Sequence, residues 1–111
     1  MDVAAFLQAL LDALAGHAFV ESVDVQTEAI VARGRIQLEG GRFLQIYFNE
    51  ETGTTAYALI EDDERIWGGD YDALRGGYEH PLGHPDRHRD IAPMTPLEVV
   101  ELLAERWAQL S

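Results

Sequence analysis

Three of the four histidines in the chain lie within one short segment, at His80, His84 and His88. An imidazole can take up or release a proton near neutral pH, so it can act as a general base or a general acid. The spacing of four residues would place the three on one face of a helix, but Pro81 and Pro85 break a helix. We therefore expect a loop, in which the histidines converge only through the way that the loop folds.

Two arginines flank the last of these histidines in the segment "DRHR". Arg87 and Arg89 carry planar guanidinium groups, which suit contact with a phosphate through two hydrogen bonds. With His84 and His88 as acid and base, these are the parts needed for RNA cleavage without a metal, in which the 2′-hydroxyl is activated and the leaving oxygen is protonated. A metal-independent ribonuclease is therefore one hypothesis.

The same segment has two alternative interpretations. All three histidines, with Asp86 or Asp90, could hold zinc or another divalent ion, although the spacing matches no metal signature. The segment could equally be a solvated loop whose histidines pair with nearby carboxylates. We find no glycine-rich phosphate loop, nucleophile elbow or dinucleotide fingerprint, so no organic cofactor is expected.

Just before the histidines, the segment "GGDYDALRGG" places Asp70 and Asp72 on either side of Tyr71. Aspartates between glycines commonly accept hydrogen bonds from the backbone of a turn, and we favour that role. A carboxylate at either position could instead orient a histidine of the following segment, as carboxylates do for metal-bound histidines. Asp70, Tyr71 and Asp72 therefore join the candidate site residues.

A second group of basic residues lies earlier in the chain. Arg33 and Arg35 project from the same face of one predicted strand, and with Arg42 at the nearby turn they could form a small basic patch. Ion pairs with Glu28 or Glu39 on neighbouring strands are the interpretation that we favour. Exposed pairs of this kind contribute only about 0–1 kcal/mol to stability.

The chain is strongly acidic, with a formal net charge of −12, and all eight of its basic residues are arginines. Most of such a surface repels RNA, DNA and anionic membranes, so RNA binding would need a local basic patch. There are no cysteines, and no apolar run approaches the ~20 residues that span a membrane. A basic region typical of signal peptides is also missing from the start. We therefore expect a cytoplasmic protein that does not enter a membrane.

Apolar periodicity outlines the elements that must position these residues. Asp2 can cap a first helix, and Thr95 and Glu98 form a capping box for a last helix. From Ser22 the period changes to two, and glycine or acidic turns separate four or five strands. One of these turns is expected to be a three-residue loop over residues 40–42. Residues 70–93 show no period and are expected to form a long loop.

The predicted fold is a single α+β domain over residues 1–111. It consists of an antiparallel meander of four or five strands with an N-terminal and a C-terminal helix packed on one face. Such packing would leave Phe43, Tyr47 and Tyr57 on the other face, exposed or paired with a second copy. We therefore expect a homodimer. A non-enzymatic dimeric module with a binding or structural role, which could bind a metal through the histidine segment, is the alternative to an enzyme.

Several of these features occur in an order typical of one family. They are a strand with Arg and Ile, a glycine turn, an aromatic strand, the pair Tyr71-Asp72, the stretch "HPDRHR" from His84 to Arg89, and the helix "TPLEVVELL". This order resembles the TumE-type toxin family, small proteins encoded beside antitoxins in bacteria and archaea, over roughly residues 28–105. The histidine segment departs from the family, since it lacks adjacent histidine pairs. The resemblance implies a cytoplasmic toxin with a cognate antitoxin as partner and RNA as a target.

Overall fold

A computed structural model of the chain describes residues 1–84 and 86–110. One helix precedes an antiparallel sheet of seven strands in the sequence, and a second helix follows it. The helices are α1 (Val3–Leu14) and α2 (Pro96–Trp107), and the strands are β1 (Val20–Glu28), β2 (Val31–Leu38), β3 (Phe43–Asn49), β4 (Thr55–Glu61), β5 (Glu64–Asp72), β6 (Gly76–His80) and β7 (Arg89–Ile91). The predicted α+β fold, with an antiparallel sheet and helices at both ends, is confirmed. Among the described residues, no helix is long and apolar enough to cross a membrane.

The predicted number of strands, four or five, was wrong. The sheet has seven strands in sequence order, and β6 and β7 lie within the segment that we expected to be a long loop. The inward-facing positions of β6 hold Gly77 and Glu79, and Gly69 of β5 lies opposite Glu79, so the apolar alternation that marks a strand is missing. His80 and Arg89 therefore lie on strands, and only the residues between them connect β6 to β7.

The core lies between the helices and one face of the sheet. Ile36, Leu44, Leu59 and Trp67 are in register across β2 to β5, and all four are fully buried. From α1, the ring of Phe6 stacks on the ring of Phe48, with 4.3 Å between centroids. The side chains buried in this core form one cluster, which also includes residues of α2: Val99, Val100 and Leu103.

The opposite face of the sheet, which we call the open face, carries the alternate residues of the same strands. Tyr57 was expected there, but it belongs to the core and is 3% exposed, because it shares a face with Leu59. Phe43 and Tyr47 do lie on the open face. Its other members include Arg33, Arg35, Gln45, Ala56, Ala58, Asp70, Tyr78 and His80.

Local signals predicted the start of each helix and the length of the β2–β3 turn correctly. The Asp2 carboxylate accepts from the backbone N–H of Ala5 at 2.7 Å, and the capping box of Thr95 is formed. The β2–β3 turn has three residues, as predicted, but they are residues 39–41 rather than 40–42. Both Gly40 and Gly41 have positive φ, a conformation in which a side chain is strained, and both therefore lie inside the turn.

Gly34 is the position at which a larger residue should disturb the sheet most. A Cβ atom there would lie 2.1 Å from the Asp24 carbonyl oxygen and 2.6 Å from the Val25 Cα. Since both are backbone atoms of β1, they can make room only if that strand moves. We expect Gly34→Ala to lower the free energy of unfolding, measured in urea, by about 1–3 kcal/mol or more. In the control Gly16→Ala the new Cβ makes an ordinary 3.7 Å contact. Equal stability of the two variants would contradict the prediction.

Candidate histidine site and the open face

His80 joins the end of β6 to the segment that follows it. Its Nδ1 lies 2.9 Å from the Arg87 carbonyl oxygen, and its Nε2 lies 3.0 Å from Oδ2 of Asp70. The carbonyl oxygen can only accept, so Nδ1–H donates to it. Asp70 thus contacts a histidine, as one of our two interpretations expected. Both side chains are largely buried, at 13% exposed for His80 and 19% for Asp70. Neither ring nitrogen of His80 is left free.

Tyr78 brings two of the three histidines together. The ring of His80 packs edge-on against Tyr78 with 5.4 Å between centroids, and the ring of His88 packs edge-on against Tyr78 with 5.6 Å between centroids. His88 is exposed, and its ring makes no hydrogen bond with any described residue. This group of Tyr78, His80 and His88, which we call the histidine cluster, therefore contains one fixed imidazole and one free imidazole.

His84 does not join the histidine cluster. It is exposed, and its described hydrogen bonds are those of its backbone, which donates to Pro81 and accepts from Arg87. Its neighbour Pro85 lies outside the described residues. Within residues 1–84 and 86–110, no three histidine, aspartate or glutamate side chains come close enough together to hold a metal ion.

The two arginines that we expected to bind phosphate have different surroundings. Arg89 donates from Nη2 to Oε1 of Glu79 at 2.5 Å, on the core side of β6. Arg87 is exposed, and its guanidinium has no ion-pair partner in the described part of the chain. Only Arg87 therefore has a guanidinium that is available to an anion beside His88.

Asp72 and Tyr71 lie away from the histidine cluster. The Asp72 carboxylate accepts from the backbone N–H groups of Leu74 and Arg75 at 2.9 and 2.7 Å, which is the turn role that we favoured. Tyr71 is half-buried and shares the core-facing side of β5 with Trp67. Of the two aspartates, only Asp70 contacts a histidine.

Sequence reasoning missed Glu79, whose carboxylate is the most heavily hydrogen-bonded side chain near the site. It is 1% exposed and accepts from Trp67 Nε1 at 2.7 Å, from Arg89, and from Arg106 at 2.8 and 3.2 Å. Burial alone would raise the pKa of Glu79, but hydrogen bonds from Arg106, Trp67 and Arg89 and the charge of Arg106 lower it to about 2. One feature of the sequence could have indicated a buried carboxylate. Arg106 lies three positions after Leu103 on α2, so it lies near the buried side of the helix and needs an acidic partner there.

The open face holds a depression of about 430 Å³ between β2 and β4. The side chains that line it include those of Arg33, Arg35, Tyr47, Ala56 and Ala58. The expected ion pairs of the two arginines with Glu28 or Glu39 are not formed within the described residues. Arg42 does not contribute to a patch with them, because it pairs with Glu61 and lies over the ring of Trp107.

One row of residues in register connects this depression to the histidine cluster. Arg33 on β2 lies opposite Tyr47, then come Ala56 on β4, Asp70 on β5 and Tyr78 on β6. The depression and the histidine cluster are therefore parts of one continuous surface on the open face.

Comparison with known proteins gives no family for this chain. No family model matches the sequence, and neither a curated protein nor a solved structure matches it.

Proposed function

We propose that this chain is the toxin of a toxin–antitoxin pair and cleaves RNA in the cytoplasm, with His88 as its acid–base group. The observation that carries the proposal is the position of His88, whose exposed imidazole packs against Tyr78 and makes no hydrogen bond with any described residue. Its neighbour in sequence, Arg87, has no ion-pair partner within the described residues. The resemblance to TumE-type toxins supports RNA as the target and a cognate antitoxin as the partner.

The chemistry needs no metal ion. His88 removes the proton of a ribose 2′-hydroxyl, and the 2′-oxygen then forms a bond to the adjacent phosphorus. The bond from phosphorus to the 5′-oxygen breaks, giving a 2′,3′-cyclic phosphate, and the leaving 5′-oxygen takes a proton from His84 or from water. Arg87 holds the phosphate and stabilises the negative charge that its oxygens gain.

His80 and Asp70 act as positioning residues in this scheme. Both ring nitrogens of His80 are engaged, one by Asp70 and the other by the Arg87 carbonyl, so His80 fixes the backbone on which Arg87 and His88 stand. A general acid or base must lie within hydrogen-bonding reach of the reacting proton, and a fixed backbone keeps it there.

Substitution of His88 tests the proposal most directly. Inducing the wild type without a partner is expected to arrest growth and degrade total RNA, and His88→Ala should abolish both effects. With purified protein, the cleavage rate of a single-stranded RNA should fall by about 100-fold or more, the usual contribution of one acid–base group. His84→Ala should have a smaller effect, because His84 lies outside the histidine cluster.

The matched control is His17→Ala, which removes an imidazole that stacks on Phe19, away from the histidine cluster. It should leave growth arrest and RNA cleavage unchanged. Arrest that persists in His88→Ala would move the active site elsewhere. A folded, well-expressed wild type that neither arrests growth nor cleaves RNA would rule out the toxin function.

A homodimeric binding module is the second candidate function, and the edge of the sheet favours it. β1 is a nine-residue edge strand that is exposed along most of its length. Open edge strands readily pair with another strand, either of a second copy or of a partner such as an antitoxin. Light scattering of the purified chain that gives the mass of a dimer would support this arrangement, and a monomer at all concentrations would exclude it.

A further inference from the structure

The depression on the open face has the features of a ligand site that the histidine cluster does not explain. We propose that it binds one nucleotide of a single-stranded RNA, with a phosphate held between Arg33 and Arg35. The inference rests on the proposed RNA-directed function and extends it, because it assigns a binding subsite separate from the site of cleavage.

Both arginines are available to an anion. They are exposed at alternate positions of β2, so their Cα atoms are about 7 Å apart and both side chains can reach one phosphate. Asp24 lies opposite Arg35 in register, yet within the described residues neither arginine has a carboxylate within 4.0 Å. Arg35 lies over the ring of Phe43, 4.5 Å from its centroid, and that contact orients the guanidinium without neutralising it.

Unpaired arginines are unexpected on a chain with a net charge of −12, since many carboxylates are available to pair with them. Two guanidinium groups with no carboxylate within 4.0 Å among the described residues would attract an anion to this part of the open face, even though most of the acidic surface repels it. A guanidinium presents several N–H groups in one plane, which matches the oxygens of a phosphate.

The shape of the depression fits a planar group beside the phosphate. Its lining combines the small side chains of Ala56 and Ala58 with the larger side chains of Tyr47 and Gln45. An aromatic ring stacks on a base, and a glutamine amide can donate to and accept from a base edge. The volume of about 430 Å³ lies in the lower part of the range of small-ligand sites, about 300–1,000 Å³, so it suits a single nucleotide.

The row in register favours RNA over an acidic peptide. It runs from Arg33 through Tyr47, Ala56 and Asp70 to Tyr78, four strand spacings or about 19 Å, and the Asp70 carboxylate on it is hydrogen-bonded to His80. An extended RNA strand with one phosphate between Arg33 and Arg35 could therefore follow this row to the histidine cluster. A ribose farther along the same strand would then lie beside His88. The Tyr47 ring can stack on a base, and Ala56 and Ala58 offer an apolar contact, which a base uses and an acidic side chain does not.

Binding can be measured on the whole 111-residue chain carrying His88→Ala, so that the RNA stays intact. In fluorescence anisotropy with a labelled single-stranded RNA, the added pair Arg33→Gln/Arg35→Gln should weaken binding about 10-fold or more. The slope of log affinity against log salt should fall by about 0.7 for each phosphate that the variant no longer neutralises. Arg33→Gln alone is compared with Arg75→Gln, which removes the same charge from an arginine paired with Asp72 at 3.5 Å.

A titration with adenosine 5′-monophosphate, followed by NMR, locates the site independently of cleavage. Chemical shift changes at Arg33, Arg35, Gln45 and Tyr47 would support the inference, even if the wild type leaves RNA intact and the ribonuclease proposal fails. If Arg33→Gln and Arg75→Gln weaken RNA binding equally, the effect is one of general charge and the inference is overturned. The inference is also overturned if the wild type cleaves RNA and the Arg33→Gln/Arg35→Gln variant binds and cleaves RNA equally well. A third contrary result is that an acidic peptide, but not the nucleotide, changes the chemical shifts of these four residues.

Discussion

Replacing Glu79 with alanine should lower the free energy of unfolding by about 3–5 kcal/mol, the usual cost of breaking a buried ion pair by removing one partner. Glu79 is 1% exposed and accepts hydrogen bonds from Trp67, Arg89 and Arg106. Its removal would leave Arg106 without its main counter-charge and the Trp67 N–H buried without an acceptor. An unpaired buried polar group is costly because water cannot replace the missing partner.

Urea unfolding followed by tryptophan fluorescence measures this change in stability, since Trp67 is itself part of the network. Glu79→Gln keeps an acceptor for the Trp67 N–H but removes the charge, so it should fall between the wild type and Glu79→Ala. Glu105→Ala is the matched control, because Glu105 lies 4.0 Å from the same Arg106 but is exposed at the surface. Glu105→Ala should lower the free energy of unfolding by less than about 1 kcal/mol. Equal destabilisation by Glu79→Ala and Glu105→Ala would show that the buried network does not stabilise the fold.

The Glu79 network also bears on the histidine cluster. Glu79 and His80 are consecutive residues of β6, so their side chains point to opposite faces of the sheet. The segment that connects β6 to β7 begins after His80 and ends before Arg89. At its start, on the open face, His80 binds Asp70. At its end, on the core side, Arg89 binds Glu79. The segment that carries Arg87 and His88 is thus held at both ends. Glu79→Ala should loosen the end at Arg89, because it removes the hydrogen bond between Arg89 and Glu79.

The parts of this fold that the sequence predicted depend on local interactions. The Asp2 cap and the capping box of Thr95 and Glu98 join residues three positions apart, and the alternation of β2 and β3 reports directly which face is buried. The register observed in the β2–β3 hairpin differs by two residues from the register that we predicted. Apolar pairing alone did not determine the turn, because the positive φ angles of Gly40 and Gly41 place both glycines inside it.

The parts that were missed depend on contacts between distant segments. Gly69, Gly77 and Glu79 occupy inward positions where a strand pattern requires apolar residues, and Glu79 is compatible with that position only because Arg106 arrives from α2. Asp70 and Asp72 look equivalent in sequence. Strand pairing separates their roles, since it places Asp70 beside Tyr78 and His80 and leaves Asp72 in the turn.

Acid should remove the stabilisation that comes from Glu79 within a definite pH window. The pKa of Glu79 is lowered from an ordinary value of 4.5 to about 2 in the folded chain, because the hydrogen bonds and charge of its partners outweigh the effect of burial. A carboxyl whose folded pKa is lower than its unfolded pKa stabilises the fold fully above the unfolded value. The contribution, about 3 kcal/mol for this difference in pKa, disappears as the pH falls from about 4.5 to about 2.

Comparison with Glu79→Gln isolates this contribution from the titration of the other carboxylates. Urea unfolding of both proteins between pH 7 and pH 2 should show a constant difference in the free energy of unfolding above about pH 5. The difference should then shrink by about 3 kcal/mol toward pH 2, because the protonated glutamic acid and the glutamine are both neutral. A difference that stays constant down to pH 2 would mean that Glu79 has the same pKa folded and unfolded, and that its arginine partners do not stabilise its charge.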